Sequence, residues 1–160
     1  MKKLFAVSTA LFILIALATS VFAAPAADVQ PVPFKGAIQA IETQEIIPPT
    51  MYVNGAGSGK ATLLGLFKYR YSVQVNLETR TGSGLTGTFT AANGDRLYAE
   101  GSGQGGPSGI PDTNKITETF AITGGTGRFA GASGSFVMVR LVNTITGKVT
   151  GKFEGSVEMP

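Results

Sequence analysis

Phe67-Lys68-Tyr69-Arg70-Tyr71-Ser72-Val73-Gln74-Val75-Asn76-Leu77 is the stretch whose reading decides the fold. Phe67, Tyr69, Tyr71, Val73, Val75 and Leu77 fall at every second position, with Lys68, Arg70, Ser72, Gln74 and Asn76 between them. A helix would scatter these residues around its circumference, whereas a strand puts the apolar set on one face and the polar set on the other. The spacing predicts a half-buried strand over residues 67–77.

The same period continues outward from it. Leu85, Gly87, Phe89 and Ala91 oppose Thr86, Thr88 and Thr90. Asn93-Gly94-Asp95 follows, residue types that tolerate positive φ and favour a tight hairpin. The returning strand sets Leu97, Ala99 and Gly101 against Arg96, Tyr98 and Glu100. Alternation recurs over residues 116–123, 135–142 and 149–158, with Thr144-Ile145-Thr146-Gly147 linking the last two. Earlier strands are expected at residues 34–42 and 51–57, joined irregularly through Ile47-Pro48-Pro49. About eight strands and no helix result, a pattern that predicts an all-β domain. Small inward residues such as Gly87, Gly101, Gly151 and Gly155 beside large ones suit a narrow interior, so a single closed antiparallel barrel is the expected architecture. A β-sandwich is the alternative arrangement of the same strands.

Upstream lies a different kind of sequence. Lys2 and Lys3 precede an uncharged apolar run over residues 4–18, and Val21-Phe22-Ala23 supplies a cleavage site, the three-part build of a secretory signal. The expected organisation is a signal peptide at residues 1–23, a flexible Ala/Pro-rich leader at 24–33, and a barrel domain at 34–160. A second cut after Ala26 is compatible with Ala24-Pro25-Ala26. The apolar core is shorter than the roughly 20 residues of a spanning helix, so no membrane span is expected after cleavage. The absence of Cys excludes a lipoprotein anchor. Secreted or periplasmic localisation follows as an expectation.

Cleavage would leave 137 of the 160 residues, a size that suits one domain. It would also remove Lys2 and Lys3, taking thirteen basic residues to eleven against ten acidic ones, a net charge of +1. So balanced a chain, without a Lys/Arg cluster, gives no electrostatic case for nucleic acid. Without Cys, no disulfide holds the domain, although export would permit one.

Three Gly-rich segments imitate nucleotide-binding loops. Asn54-Gly55-Ala56-Gly57-Ser58-Gly59-Lys60-Ala61 has the Gly-Lys pair of a P-loop, but Asn54 stands where the first Gly is required and Ala61 where the magnesium-binding hydroxyl is required. Gly125-Thr126-Gly127-Arg128-Phe129-Ala130 fits a dinucleotide fingerprint, yet Gly131 and Gly134 interrupt any following helix. Gly101-Ser102-Gly103-Gln104-Gly105-Gly106 runs straight into Pro107. The last two read as turns. With neither His nor Cys, the common triads, thiolate chemistry and most zinc sites are excluded, and no acidic cluster suggests calcium. No metal and no cofactor are expected.

Four side chains are candidates for a site. Glu118 shares strand parity with Ile116, Phe120 and Ile122, and Arg140 shares it with Phe136, Met138 and Val142. If the two strands are neighbours, Glu118 and Arg140 pair inside the barrel, as a structural ion pair or as the polar handle of a ligand cavity. Opposite facing of either strand, or a place at a barrel mouth, is the plainer alternative. Tyr69 and Tyr71 are ligand-platform candidates whose simpler reading is core. Glu118 is the one candidate for acid–base catalysis; otherwise no catalytic residue is assigned.

The run Phe120-Ala121-Ile122-Thr123-Gly124-Gly125-Thr126-Gly127-Arg128-Phe129-Ala130-Gly131-Ala132-Ser133-Gly134-Ser135-Phe136 resembles a segment of small exported bacterial β-proteins related to the allene oxide cyclase/dirigent barrel superfamily. Thr88-Phe89-Thr90-Ala91-Ala92-Asn93-Gly94-Asp95 is similar to another hairpin of that group. Gly59-Lys60-Ala61-Thr62-Leu63-Leu64-Gly65 is weakly similar to its Gly-rich strand start and departs from it by lacking a His. The resemblance implies an eight-stranded antiparallel barrel with an interior cavity, Phe129 as a plug at the barrel end, and self-association like that of the plant relatives. No catalytic position of those relatives maps onto this chain, and activity does not travel with fold.

The expected function is therefore an exported, non-enzymatic barrel that holds a small apolar ligand or serves an envelope or interaction role. A cofactor-free isomerase or cyclase using Glu118 on a hydrophobic substrate is the alternative. A small outer-membrane barrel is the second, disfavoured by the polar outer faces and by the ending Glu158-Met159-Pro160.

Overall fold

The computed structural model describes residues 30–160. The expected signal and its cleavage positions lie outside the described residues. Eight strands follow one another: β1 (Val32–Ile47), β2 (Thr50–Ala61), β3 (Gly65–Asn76), β4 (Thr81–Ala91), β5 (Arg96–Pro107), β6 (Thr113–Gly125), β7 (Ser133–Asn143) and β8 (Lys148–Glu158). Each pairs antiparallel with the next, and β8 pairs back onto β1, which closes the barrel. Among the described residues, closure gives every strand a partner on both sides, apart from the end of β1 that runs beyond β8. The sandwich arrangement is thereby replaced by the barrel.

The strand expected at 67–77 forms as β3, with Phe67, Tyr69, Tyr71 and Val73 buried and Lys68 and Arg70 exposed. It stops at Asn76 because the Asn76 carboxamide oxygen accepts the amides of Glu78 and Thr79 and turns the chain; Leu77 sits beyond the strand end, 38% exposed. At the β4–β5 hairpin, Gly94 has φ +92°, the Ala91 amide donates to the Asp95 carbonyl, and the Gly94 amide donates to the Ala91 carbonyl across the turn. β1 begins at Val32, two residues before the expected domain start, and its residues 42–47 outrun β8 to pair with β2 alone, forming a lip.

One expectation is corrected. Gly101 to Gly106 is not a turn but the second half of β5, and the P-loop-like residues 54–61 are the second half of β2. In both, the inward-facing residue is glycine because the neighbouring strand supplies the bulk. Gly55 lies across the ladder from Tyr71, Gly57 from Tyr69 and Gly59 from Phe67. Gly101, Gly103 and Gly105 likewise face Phe120, Glu118 and Ile116, and in β8 Gly151 and Gly155 face Arg140 and Phe136. A Cβ at Gly55 would run into the Tyr71 ring, and one at Gly101 into the Thr119 carbonyl. The third glycine-rich run does turn, as a short 3-10 segment, Gly127–Phe129.

The interior is filled unevenly. At the end formed by the β2–β3, β4–β5 and β6–β7 turns, Leu64, Phe129 and Ala132 are buried and stop the cylinder, so Phe129 is the plug. Above them Phe34, Phe67, Phe89, Phe120, Phe136 and Phe153 are packed in tilted, stacked and edge-to-face pairs with centroids 4.7 to 6.3 Å apart. Each buried Phe contributes about 1.5–3 kcal/mol by leaving water, and this cluster is the main cohesive term in a domain without disulfides.

The glycine ladder yields a paired test within β5. Gly101→Ala should destabilise by about 1–3 kcal/mol through overpacking. Gly106→Ala, with open space around its Cβ position, should be neutral or slightly stabilising. Urea denaturation of both variants checks the contrast, and equal stability would mean that inward room is not what the glycines provide.

Candidate functional site

Between the phenylalanine cluster and the opposite end, the barrel carries a layer of buried polar side chains. Arg140 of β7 is its centre, 3% exposed. Its Nε and Nη2 donate to the two carboxylate oxygens of Glu118 on the neighbouring β6, at 2.9 and 2.6 Å. Its Nη1 donates to Glu42 Oε2 at 3.0 Å and to the Tyr71 hydroxyl at 2.8 Å. Tyr71 in turn donates to Glu42 Oε2 at 2.8 Å, while Gln44 Nε2 donates to Glu42 Oε1 at 2.9 Å. The guanidinium carbon also stands 4.5 Å from the centre of the Tyr71 ring. Strands β1, β3, β6 and β7 thus meet at one side chain.

Local sequence explains each placement. Glu118 and Arg140 occupy inward positions of paired strands, on a diagonal: the register sets Ile116 opposite Arg140 and Glu118 opposite Met138. Glycines make the room. Gly103 faces Glu118, Gly151 faces Arg140, and Gly55 faces both Glu42 and Tyr71. A Cβ at Gly103 would stand 2.8 Å from Glu118 Cγ.

Burial works against a charged guanidinium, but the Glu118 charge and hydrogen bonds, with Tyr71 and Glu42, outweigh it and hold Arg140 protonated, above its ordinary range. Burial also drives both tyrosines the other way from ionisation. Tyr71 is raised well above the ordinary phenol value by burial, against the pull of Arg140 and with the push of Glu42. Tyr69 is raised by burial and by the Glu118 charge. Tyr69 stacks between Tyr71 and Phe89, and its buried hydroxyl has no hydrogen-bond partner among the described residues.

Above this layer a cavity of ≈ 460 Å³ occupies the open end of the barrel. Its walls are Met51, Val53, Val73, Val75, Leu77 and Ile116; Glu42, Glu118 and Arg140 form its floor, and Arg80 stands at its exposed rim. Two register shifts at this end, between Ser72 and Gln74 and between Gly82 and Leu85, bend β3 and β4 around it. A larger groove of ≈ 950 Å³ over the outer wall is lined by Lys60, Leu66, Val139 and Lys152 among others, and among the described residues no buried polar side chain lines it.

The structure therefore brings together Glu118, Arg140 and Tyr71 among the sequence candidates. Tyr69 lies one inward step deeper, in the packed core and away from the cavity wall. Sequence reasoning missed Glu42 and Gln44. The signal for them was available, because both share inward parity with Phe34, Ile38 and Ala40.

No protein-family model and no curated protein sequence matches the chain. Among solved structures, it is similar to a dirigent protein, the pterocarpan synthase PsPTS1, with a TM-score of 0.55 and 17% sequence identity. The match covers 81% of this chain and 96% of that one. At this identity the likeness is one of fold: the chain is built as a dirigent/allene oxide cyclase-like barrel.

The stacked tyrosines give a test of the polar layer. Tyr71→Phe removes a hydroxyl that bridges Glu42 and Arg140 and should destabilise by about 1–3 kcal/mol, whereas Tyr69→Phe removes an unpartnered one and should be neutral or stabilising. Because their folded-state pKa values lie above the unfolded value near 10, the native state retains protons that the unfolded chain gives up. Stability present below pH 10 should fall as pH rises beyond it. Phenolate absorbance should show these two tyrosines ionising only as the barrel unfolds.

Proposed function

We propose that this chain is an exported, non-enzymatic barrel that takes a small, largely apolar molecule into the open half of its interior. The observation that carries this reading is the ≈ 460 Å³ cavity, with Met51, Val53, Val73, Val75 and Ile116 on its walls, buried polar groups at its floor, and exposed Asn76, Arg80, Asn114 and Thr144 also in its lining. Ligand pockets of a few hundred Å³ with a few convergent polar groups have this build. The dirigent-like fold supports the reading of a barrel that acts without cofactor chemistry. The outer wall, with exposed Lys35, Lys68, Arg70, Glu100, Lys152 and Glu154, suits water better than lipid.

The cyclase or isomerase alternative draws on the presence of Glu118 at the cavity floor and on the synthase name of the similar dirigent protein. Against it, both Glu118 oxygens are engaged by Arg140, so the carboxyl is not presented as a free acid. Glu118→Gln leaving any discovered turnover intact would remove it.

The neutral fluorophore N-phenyl-1-naphthylamine should bind the purified barrel with increased emission and raise its melting temperature. Val75→Trp, which fills the cavity from one wall, should weaken that binding by about tenfold or more without loss of β-sheet circular dichroism. Absence of any binding to the wild-type barrel would overturn the ligand reading. Export is tested separately: the mature protein should begin at Ala24, or at Ala27 if the second site is used, by intact mass.

A further inference from the structure

From the hydrogen-bond inventory of the cavity floor, we infer that the ligand carries a single positive charge: the chamber selects an apolar molecule ending in an ammonium group and rejects the corresponding carboxylate. This inference rests on the ligand reading above and specifies the class of molecule it takes.

The floor is rich in acceptors and poor in donors. A guanidinium has five N–H groups, and Arg140 commits four of them: two to Glu118, one to Glu42 and one to Tyr71. The Tyr71 hydroxyl hydrogen is committed to Glu42. Gln44 has one of its amide hydrogens on Glu42 as well. At the floor an incoming carboxylate would find one Arg140 N–H and one Gln44 amide hydrogen uncommitted, the other donors of the lining, on Arg80, Asn76, Asn114 and Thr144, belonging to exposed residues. The carboxylates are in the opposite condition. Each can accept about four hydrogen bonds; Glu118 receives two and Glu42 three. Lone pairs therefore remain for a donor arriving from the cavity.

Charge points the same way. Two carboxylates against one guanidinium give the floor a formal charge of −1, and all three side chains are under 10% exposed. Arg80 is the other charged residue of the lining, and it is exposed at the rim. Water and salt screen a rim charge far more than a buried one, so the excess at the floor dominates the field that a ligand head group meets. Among the described residues, no second buried cation of the lining balances that excess. A monovalent cation at the tip of a hydrocarbon body does.

Three probes of equal length separate the outcomes: decylamine, decanol and decanoate, each titrated into the full mature barrel by calorimetry at neutral pH. The expected order is amine over alcohol by about tenfold or more, with decanoate weakest. Glu42→Gln, which keeps the shape but makes the floor neutral, should bring amine and alcohol within about twofold of each other. Equal binding of amine and alcohol by the wild type, or tighter decanoate, overturns the inference and leaves the ligand reading standing. Binding of none of the three overturns both. Should Glu42→Gln fail to fold, the wild-type order decides alone, and Arg80→Gln serves as the folded control: an order that collapses in Arg80→Gln would assign the selectivity to the rim and overturn the inference.

Discussion

The buried guanidinium of Arg140 is the constraint on which the rest of the interior depends. Stripping such a group of water costs several kcal/mol even after the protein relaxes around it, so it persists only where its partners are fixed. Here they come from β1, β3 and β6, and Arg140 itself from β7. The register of one strand pair is thereby tied to that of strands across the cylinder. A one-residue slip in any of the four would turn its partner outward and leave a buried charge unmatched. Aromatic packing supplies most of the cohesion, but it is tolerant of exchange between similar rings; the ionic layer is not tolerant of exchange between registers.

That layer needs space which a barrel of this width does not offer to full-sized side chains on every strand. The space comes from glycine. Glu42, Tyr71, Glu118 and Arg140 each have a glycine as a cross-strand neighbour, and the rings of Phe67 and Tyr69 follow the same rule against Gly59 and Gly57. Glycine weakens a strand taken alone. In this barrel the loss is offset by the larger partner that each glycine admits, and by closure, which ties every strand to two neighbours.

How far the sequence discloses this arrangement can be traced residue by residue. Period-2 alternation discloses the strands, since Phe67 through Val73 and Leu85 through Ala91 bury one parity, with Val75 half-buried on the same face. Parity also places Glu118 and Arg140 inside. What it does not disclose is which of two chemically similar runs is turn and which is strand. Gly101–Gly106 and Gly125–Gly131 have nearly the same composition, yet the first lies in β5 and the second bends, because the first has Phe120, Glu118 and Ile116 beside it to fill the room that it leaves. That information is held by the neighbouring strand. Glu42 escaped attention for a related reason. A single carboxylate near the end of an alternating run looks like the polar end of a strand, and only the continuation of β1 to Ile47 makes it interior.

The barrel is consequently two devices in one cylinder. Its plugged half is a solid of phenylalanine rings whose burial provides stability. Its open half keeps a chamber, at the end where β1 and β2 extend past β8 and where the registers of β3 and β4 shift. The ionic layer lies where the two meet. Were the chamber simply lined with hydrocarbon down to the rings, collapse onto the core would fill it, since apolar side chains gain by closing an empty space. A floor of hydrogen-bonded charges resists that collapse, because apolar groups driven into it would separate Arg140 from its carboxylates at a cost of several kcal/mol. The layer that fixes the strands therefore also preserves the cavity above it, and its one-charge excess gives that cavity a chemical direction.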